Sequence, residues 1–360
     1  MRLPPSAAAG LLVLALAQSA SGAPARRSPS RTAESVTLYT IKKGDTLGAI
    51  AARYMIGRDA VAAVVAYNDI VDPDRAPVGT VLKIPTRLLK STPLALTAVA
   101  VTGPVTRAAA TGAAGPLAKG DAVVEGDRIS TGADAFATLV KPDGSRITLP
   151  SHTILRVAAF RHIALDASDR GDLEIESGKG ELSITPLRQP ADRFEIRTPG
   201  SVAAVRGTEF RVAYDTDLTR ATLEVLHGRV GDAAVGSAAS VDIVTGQAAQ
   251  RVADGERRVT PLPPAPAFAP PDEADAFPDV VFKIADPHPG WSYHIVLARD
   301  AAFTDLFAEV TAADGVARFD NIPLAPISAR ITAIDENGVE GFPRTYLVER
   351  PPPPGPTSGG

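Results

Sequence analysis

Apolar positions change period early in this chain. Tyr39 and Ile41 alternate with polar neighbours, and then Leu47, Ile50, Ala51 and Tyr54 fall at i, i+3, i+4 and i+7. The first pattern predicts a short strand and the second one face of a helix. Only Lys-Lys-Gly-Asp-Thr separates them. Gly44 supplies the positive φ such a corner needs, and Asp45 is placed to accept from the free amides of the first helical turn. After Gly57, "RDAVAAVVAYN" predicts a second short helix with Val61, Val64 and Val65 inward, and "VGTVLKIP" a strand ended by Pro85. The order over residues 37–86 is β-α-α-β.

From residue 97 to 262 the period is two. "GDRISTGADAFATLVKPDGSRITL" alternates through Phe136, Ile147 and Leu149 around a Pro-Asp-Gly turn. "DLEIESGKGELSI" places Leu173 and Ile175 before a Gly-Lys-Gly turn and Leu182 and Ile184 after it. Strand patterns recur about every ten residues, as in a sandwich, barrel or β-roll. Residues 276–349 alternate again: Tyr293, Ile295 and Leu297 share one face, Ile331 and Ala333 another, and Glu336-Asn337-Gly338 reads as a turn. Between these modules, the Pro-rich residues 260–279 read as an extended spacer, with 263–275 as the linker proper. Residues 23–36 read as a linker and 350–360 as a disordered tail.

Composition narrows the function classes. A net charge of -4 carries no footprint for nucleic acid, and the absence of cysteine excludes disulfides and thiolate chemistry. The N-terminus, "AAAGLLVLALAQSASGAPA" after Arg2, has an apolar run shorter than the ~20 residues of a membrane span and ends in small residues. It is expected to be a signal peptide over 1–22, placing the protein in the periplasm or cell envelope; an uncleaved anchor is the alternative.

Two stretches resemble known families. "YTIKKGDTLGAIAARY" followed by "YNDIVDPDRAPVGTVLKIP" resembles the LysM family, which binds N-acetylglucosamine-containing glycans, chiefly peptidoglycan. The resemblance implies a shallow groove between Gly44, Asp45, Thr46 and Leu47 at the corner and Asn68, Asp69, Ile70 and Val71 after the second helix. Gly48 and the Val78-Gly79 pair depart from the family's usual residues. "GDRISTGADAFATLVKPDGSRITL", "TPGSVAAVRGTEFRV" and "LEVLHGRV" resemble the FecR domain, which in its better-known members relays an envelope cue to a sigma factor. Neither the cytoplasmic segment nor the internal membrane helix of that relay is legible in this sequence, so the resemblance is expected to carry over the module alone. "YHIVLARDAAF" and "ARITAIDENGVEG" resemble a fibronectin type III-like sandwich. The expected fold is multidomain: a small LysM domain followed by two all-β modules.

No catalytic constellation is legible, and no cofactor is expected. "GDAAVGSAAS" lacks the Lys-Ser/Thr step of a phosphate loop. His152, His162 and His227 lack metal spacing, and the acidic pairs at 72–74 and 214–217 lack a calcium-loop frame. Arg206 in "VRGTEF" admits two readings, an anion site or pairing with Glu209, and a bend at Gly207 in which it has no site role. Trp291 admits carbohydrate stacking or edge packing. The expected function is non-enzymatic: peptidoglycan binding, with the β-modules presented to an envelope or membrane protein partner. A periplasmic signalling component is the alternative.

Overall fold

The computed structural model describes residues 36–349 except 74–76, 111, 238, 253–255, 271–279 and 324. The expected signal peptide, the C-terminal tail and all but residue 36 of the first linker lie outside the described residues.

In the first module, strand β1 (Val36–Thr40) pairs antiparallel with β2 (Val81–Pro85), Thr37 opposite Ile84 and Tyr39 opposite Leu82. Helices α1 (Leu47–Tyr54) and α2 (Ala60–Tyr67) cover one face of this ribbon. Leu47, Ile50, Val64, Leu82 and Ile84 form its core. Each such aliphatic contributes roughly 1.5–3 kcal/mol on burial. Thr46 is the N-cap of α1, its hydroxyl accepting from the Ala49 amide at 3.1 Å.

This core does not end at the module boundary. Leu89, Ile163 and Leu165 complete it. Lys90 ties the joint: its ammonium donates to the Ala52 and Arg53 carbonyls at the C-terminal end of α1, where a cation also meets the negative end of the helix dipole. Residues Ser91–Pro93 then pair with Arg161–Ile163, so regular β-structure begins before residue 97.

The second module consists of two sheets with interleaved apolar faces. In one, strands Arg128–Thr131, Ile154–Ile163, the first half of Ser168–Ser183, Arg193–Arg197, Ser201–Val205, Arg229–Ala234 and Ser240–Val244 follow in order. In the other, Ala95–Thr102, Phe136–Val140, Arg146–Leu149, the second half of Ser168–Ser183, Glu209–Asp215, Arg220–His227 and Gln247–Val252 follow in order. Leu139, Ile147, Leu182 and Phe210 from one side pack with Leu155, Leu173, Phe194 and Val230 from the other. The Pro-Asp-Gly turn forms, with Gly144 at φ 88 and the Asp143 carboxylate accepting from Ser145.

The Gly-Lys-Gly segment is not a turn. Ser168–Ser183 is one sixteen-residue strand that leaves the first sheet at Ser177 and joins the second at Gly178. Gly178 has φ 80, and a Cβ there would sit 2.4 Å from the His152 carbonyl oxygen. Glycine is present for a crossing between sheets rather than for a chain reversal.

The third module has a four-stranded sheet, Leu306–Ala312, Ser292–Ala298, Ile327–Ile334 and Arg344–Val348 in order, facing a pair of strands, Val280–Lys283 and Val316–Phe319. Part of the expected spacer belongs here. Phe268 bridges to Ile284, stacks on Phe282 with ring centroids 4.6 Å apart and meets Tyr346 in a tilted contact at 4.8 Å. Proline lacks a donor, but the intervening Ala267 and Ala269 still hydrogen-bond to Ala285 and Lys283, and Phe268 supplies the apolar surface. Trp291 packs at the module's edge, stacked on His288.

Candidate functional site

The corner between β1 and α1 forms as the residue types dictate. Gly44 has φ 91 and open space around it. Asp45 does not cap the helix. Its carboxylate turns back to accept from the Lys42 amide at 2.8 Å and the Tyr39 hydroxyl at 2.7 Å. Those bonds, the Lys42 amide foremost, hold the carboxyl below its ordinary range. Burial and the bond to Asp45 push the Tyr39 phenol up to about 12. Thr46, one residue later, takes the cap because the Asp45 side chain is already committed. The corner is laced to the loop before β2 by Ile41, whose amide donates to Thr80 and whose carbonyl accepts from Gly79.

The eight residues expected to line a groove separate into two groups. Gly44, Thr46, Asp69 and Val71 are exposed, Asp69 with φ 52 and Val71 at 99% exposure. Leu47 lies in the core and Ile70 packs partly against it; Asp45 is held as described. Asn68 is structural: its amide donates to the Val64 and Lys83 carbonyls and its oxygen accepts from the Lys83 amide, at 2.7–2.8 Å. It is a clasp between α2 and β2 rather than a free groove wall. Asn68→Ala is therefore expected to destabilise the module by about 2 kcal/mol, read as a lowered melting transition. A variant that melts like the wild type would contradict that role. Val78, 66% exposed on the loop laced to the corner, was not singled out among the groove residues. Its signal is an apolar residue in a Pro/Gly loop with no periodic partner.

The family model for the LysM domain matches residues 39–85, and that for FecR protein matches residues 127–231. The chain is a LysM plus FecR-domain protein. Two crystal structures of a proposed anti-sigma factor from Parabacteroides distasonis are similar at 18% and 20% identity, with a TM-score of 0.31 in each case. Each match covers 37% of this chain and 59% of the other. No curated protein gives a significant match.

The FecR domain and the third module share a buried charged network that the sequence did not disclose. Arg211, Glu224 and Glu340 are each 1–3% exposed. Arg211 donates to Glu224 at 2.7 Å and to the Glu340 and Gly341 carbonyls at 2.6 Å. Glu340 also meets Lys179, Thr332 and His294, and its amide donates to Glu224. Arg330 grips Glu181 with contacts of 2.6 and 2.7 Å. Burial disfavours the His294 imidazolium, but Glu340 and Glu309 outweigh it and push the group up to about 9. Burial likewise opposes the Glu340 carboxylate, but Arg211, Lys179 and His294 hold it well below its ordinary range. Phe136, facing away from the FecR core, is covered by Val296, Ala298, Phe303 and Leu306.

Arg206, raised from the sequence as a candidate anion site, donates to the Pro190 carbonyl rather than to Glu209. Gly207 makes the expected bend with φ 75. No cluster of metal-ligating side chains occurs among the described residues, and no described helix is long and apolar enough to cross a membrane.

Proposed function

We propose that the protein is a non-enzymatic envelope component that holds peptidoglycan through its LysM domain and presents its β-modules to a further envelope or membrane protein. The observation that carries the glycan reading is Val71: a fully exposed aliphatic beside Asp69, whose backbone is left-handed, in the loop after α2. A solvated valine contributes nothing to the fold. A pyranose ring has an apolar C–H face that such a side chain can cover, while backbone groups of the two turns meet the N-acetyl amide. Gly44 and Gly48 leave open space for approach.

Val71→Asp places a charge under the sugar without touching the core. Binding to purified peptidoglycan in a sedimentation assay is expected to fall about tenfold or more, with an unchanged melting transition. Unchanged sedimentation would overturn the assignment. Deleting residues 37–86 is a poorer test, because it uncovers Leu89, Ile163 and Leu165 and perturbs the FecR domain as well.

A second reading, a role in envelope signalling, draws on the FecR domain and on this shared core, since Ile163 stands on the strand Ile154–Ile163 of the FecR sheet. Under that reading an envelope protein co-purifies with the full chain, and the interaction changes when peptidoglycan fragments are added.

A further inference from the structure

The FecR domain has a cleft of about 110 Å³ at the end of its first sheet. Phe160, Leu187 and Pro142 give it an apolar wall, and Lys141, Arg188 and Arg193 bring cations to it. Beside it three arginines stand in a row across adjacent strands. Arg170 is directly opposite Arg193 in the parallel pair. Arg206 follows Val205, which is opposite Phe194, and so lies next to Arg193 on the other side. Like charges in neighbouring cross-strand positions repel. Burial and the nearby Arg170 and Arg206 together pull the Arg193 guanidinium below the usual arginine range. A row of like charges that carboxylates offset only in part marks a candidate site.

The partners of these cations sharpen the point. Arg170 is paired with Asp166 at 2.9 Å, but Arg193 donates to the carbonyls of Pro190 and Asp192 and Arg206 to that of Pro190, none of them a carboxylate. Arg188 makes no hydrogen bond or ion pair among the described residues. The cleft's acids are already engaged. Asp143 accepts from Lys141 and Ser145, Asp192 from the Asp169 and Gln189 amides, and Asp169 pairs with His162. Guanidinium donors therefore remain available at the rim while most carboxylate oxygens do not. The engaged acids keep the overall charge low, which suits a single oxyanion rather than a polyanion.

We propose that this cleft is a binding site for the oxyanion group, carboxylate or phosphate, of a small ligand, held by Arg188 and Arg193 with its apolar body on Leu187 and Pro142. Forked guanidinium donors match either group in a bidentate manner. The site is separate from the glycan groove and does not depend on it.

The test is an NMR titration of the full chain with inorganic phosphate and, separately, with N-acetylalanine, following the amides of Gly171, Arg188 and Asp192. Saturable shifts at these amides are expected with at least one probe, and the tighter probe identifies phosphate or carboxylate as the group recognised. Arg188→Gln, whose side chain holds nothing in the fold, is expected to weaken that binding about tenfold, and Arg193→Gln at least as much. Arg229→Gln, on an exposed arginine elsewhere on the sheet, should leave it unchanged. The proposal is overturned by non-saturating shifts with both probes, by retention of affinity in Arg188→Gln and Arg193→Gln, or by an equal loss in Arg229→Gln.

Discussion

Arg211→Met is expected to cost about 4 kcal/mol of stability in urea denaturation, because removing one partner of a buried ion network strands the others. Glu224 and Glu340, each nearly inaccessible, would lose the guanidinium that lies between them. The Glu340 and Gly341 carbonyls would lose their donor as well. Restoring balance with Glu224→Gln in the same chain should recover part of the loss, since the deficit is an uncompensated charge rather than missing volume. A cost below about 1 kcal/mol would mean that water reaches the network.

The same network predicts a pH dependence. The His294 pKa is raised from 6.5 to about 9 in the folded chain. The folded state thus binds the proton more tightly, and the stabilisation is fully present below pH 6.5. It is lost as pH rises through about 9. His294→Gln should flatten the stability profile across that window.

Gly178→Ala is expected to cost about as much, roughly 4 kcal/mol, at a position with no charge and no side chain. Its φ of 80 disfavours any Cβ, and that Cβ would approach Thr153 Cα to 2.7 Å as well as the His152 oxygen to 2.4 Å. Both neighbours are backbone atoms, in the turn that leads into Ile154–Ile163, and cannot yield as a side chain tip would. Gly180→Ala, two residues on, provides the control. It has no positive φ, and its nearest contact is 3.1 Å to the end of the Ile175 side chain, so it should cost about 1 kcal/mol or less. Comparable losses in both variants would show that the strand tolerates neither, and that the crossing at Gly178 is not special.

The sequence by itself determined the local elements and their modules. The change of period between Tyr39 and Leu47, the glycine at the corner and the Pro-Asp-Gly turn are short-range features, governed by backbone sterics and by which side of an element meets water. They were legible because each depends on residues a few positions apart. What lies across space was not legible. Nothing near Gly178 says that Ile154–Ile163 is the partner on one side and Glu209–Asp215 on the other, so the bend looked like a reversal. Asp45 and Thr46 are both competent caps, and the Lys42 amide and Tyr39 hydroxyl decided between them by holding the Asp45 carboxylate. Phe136 alternates properly with its neighbours, yet it belongs to the covered outer face rather than the FecR core. The strand Ser292–Ala298 offered a hint, since Val296 and Ala298 make its second face partly apolar beside Ser292 and His294, but it could not say what covered that face. The cross-strand row of Arg170, Arg193 and Arg206 likewise exists only through register. Residues far apart in the chain meet there because pairing between strands is a tertiary choice, and the charge they concentrate is a property of the sheet rather than of any segment.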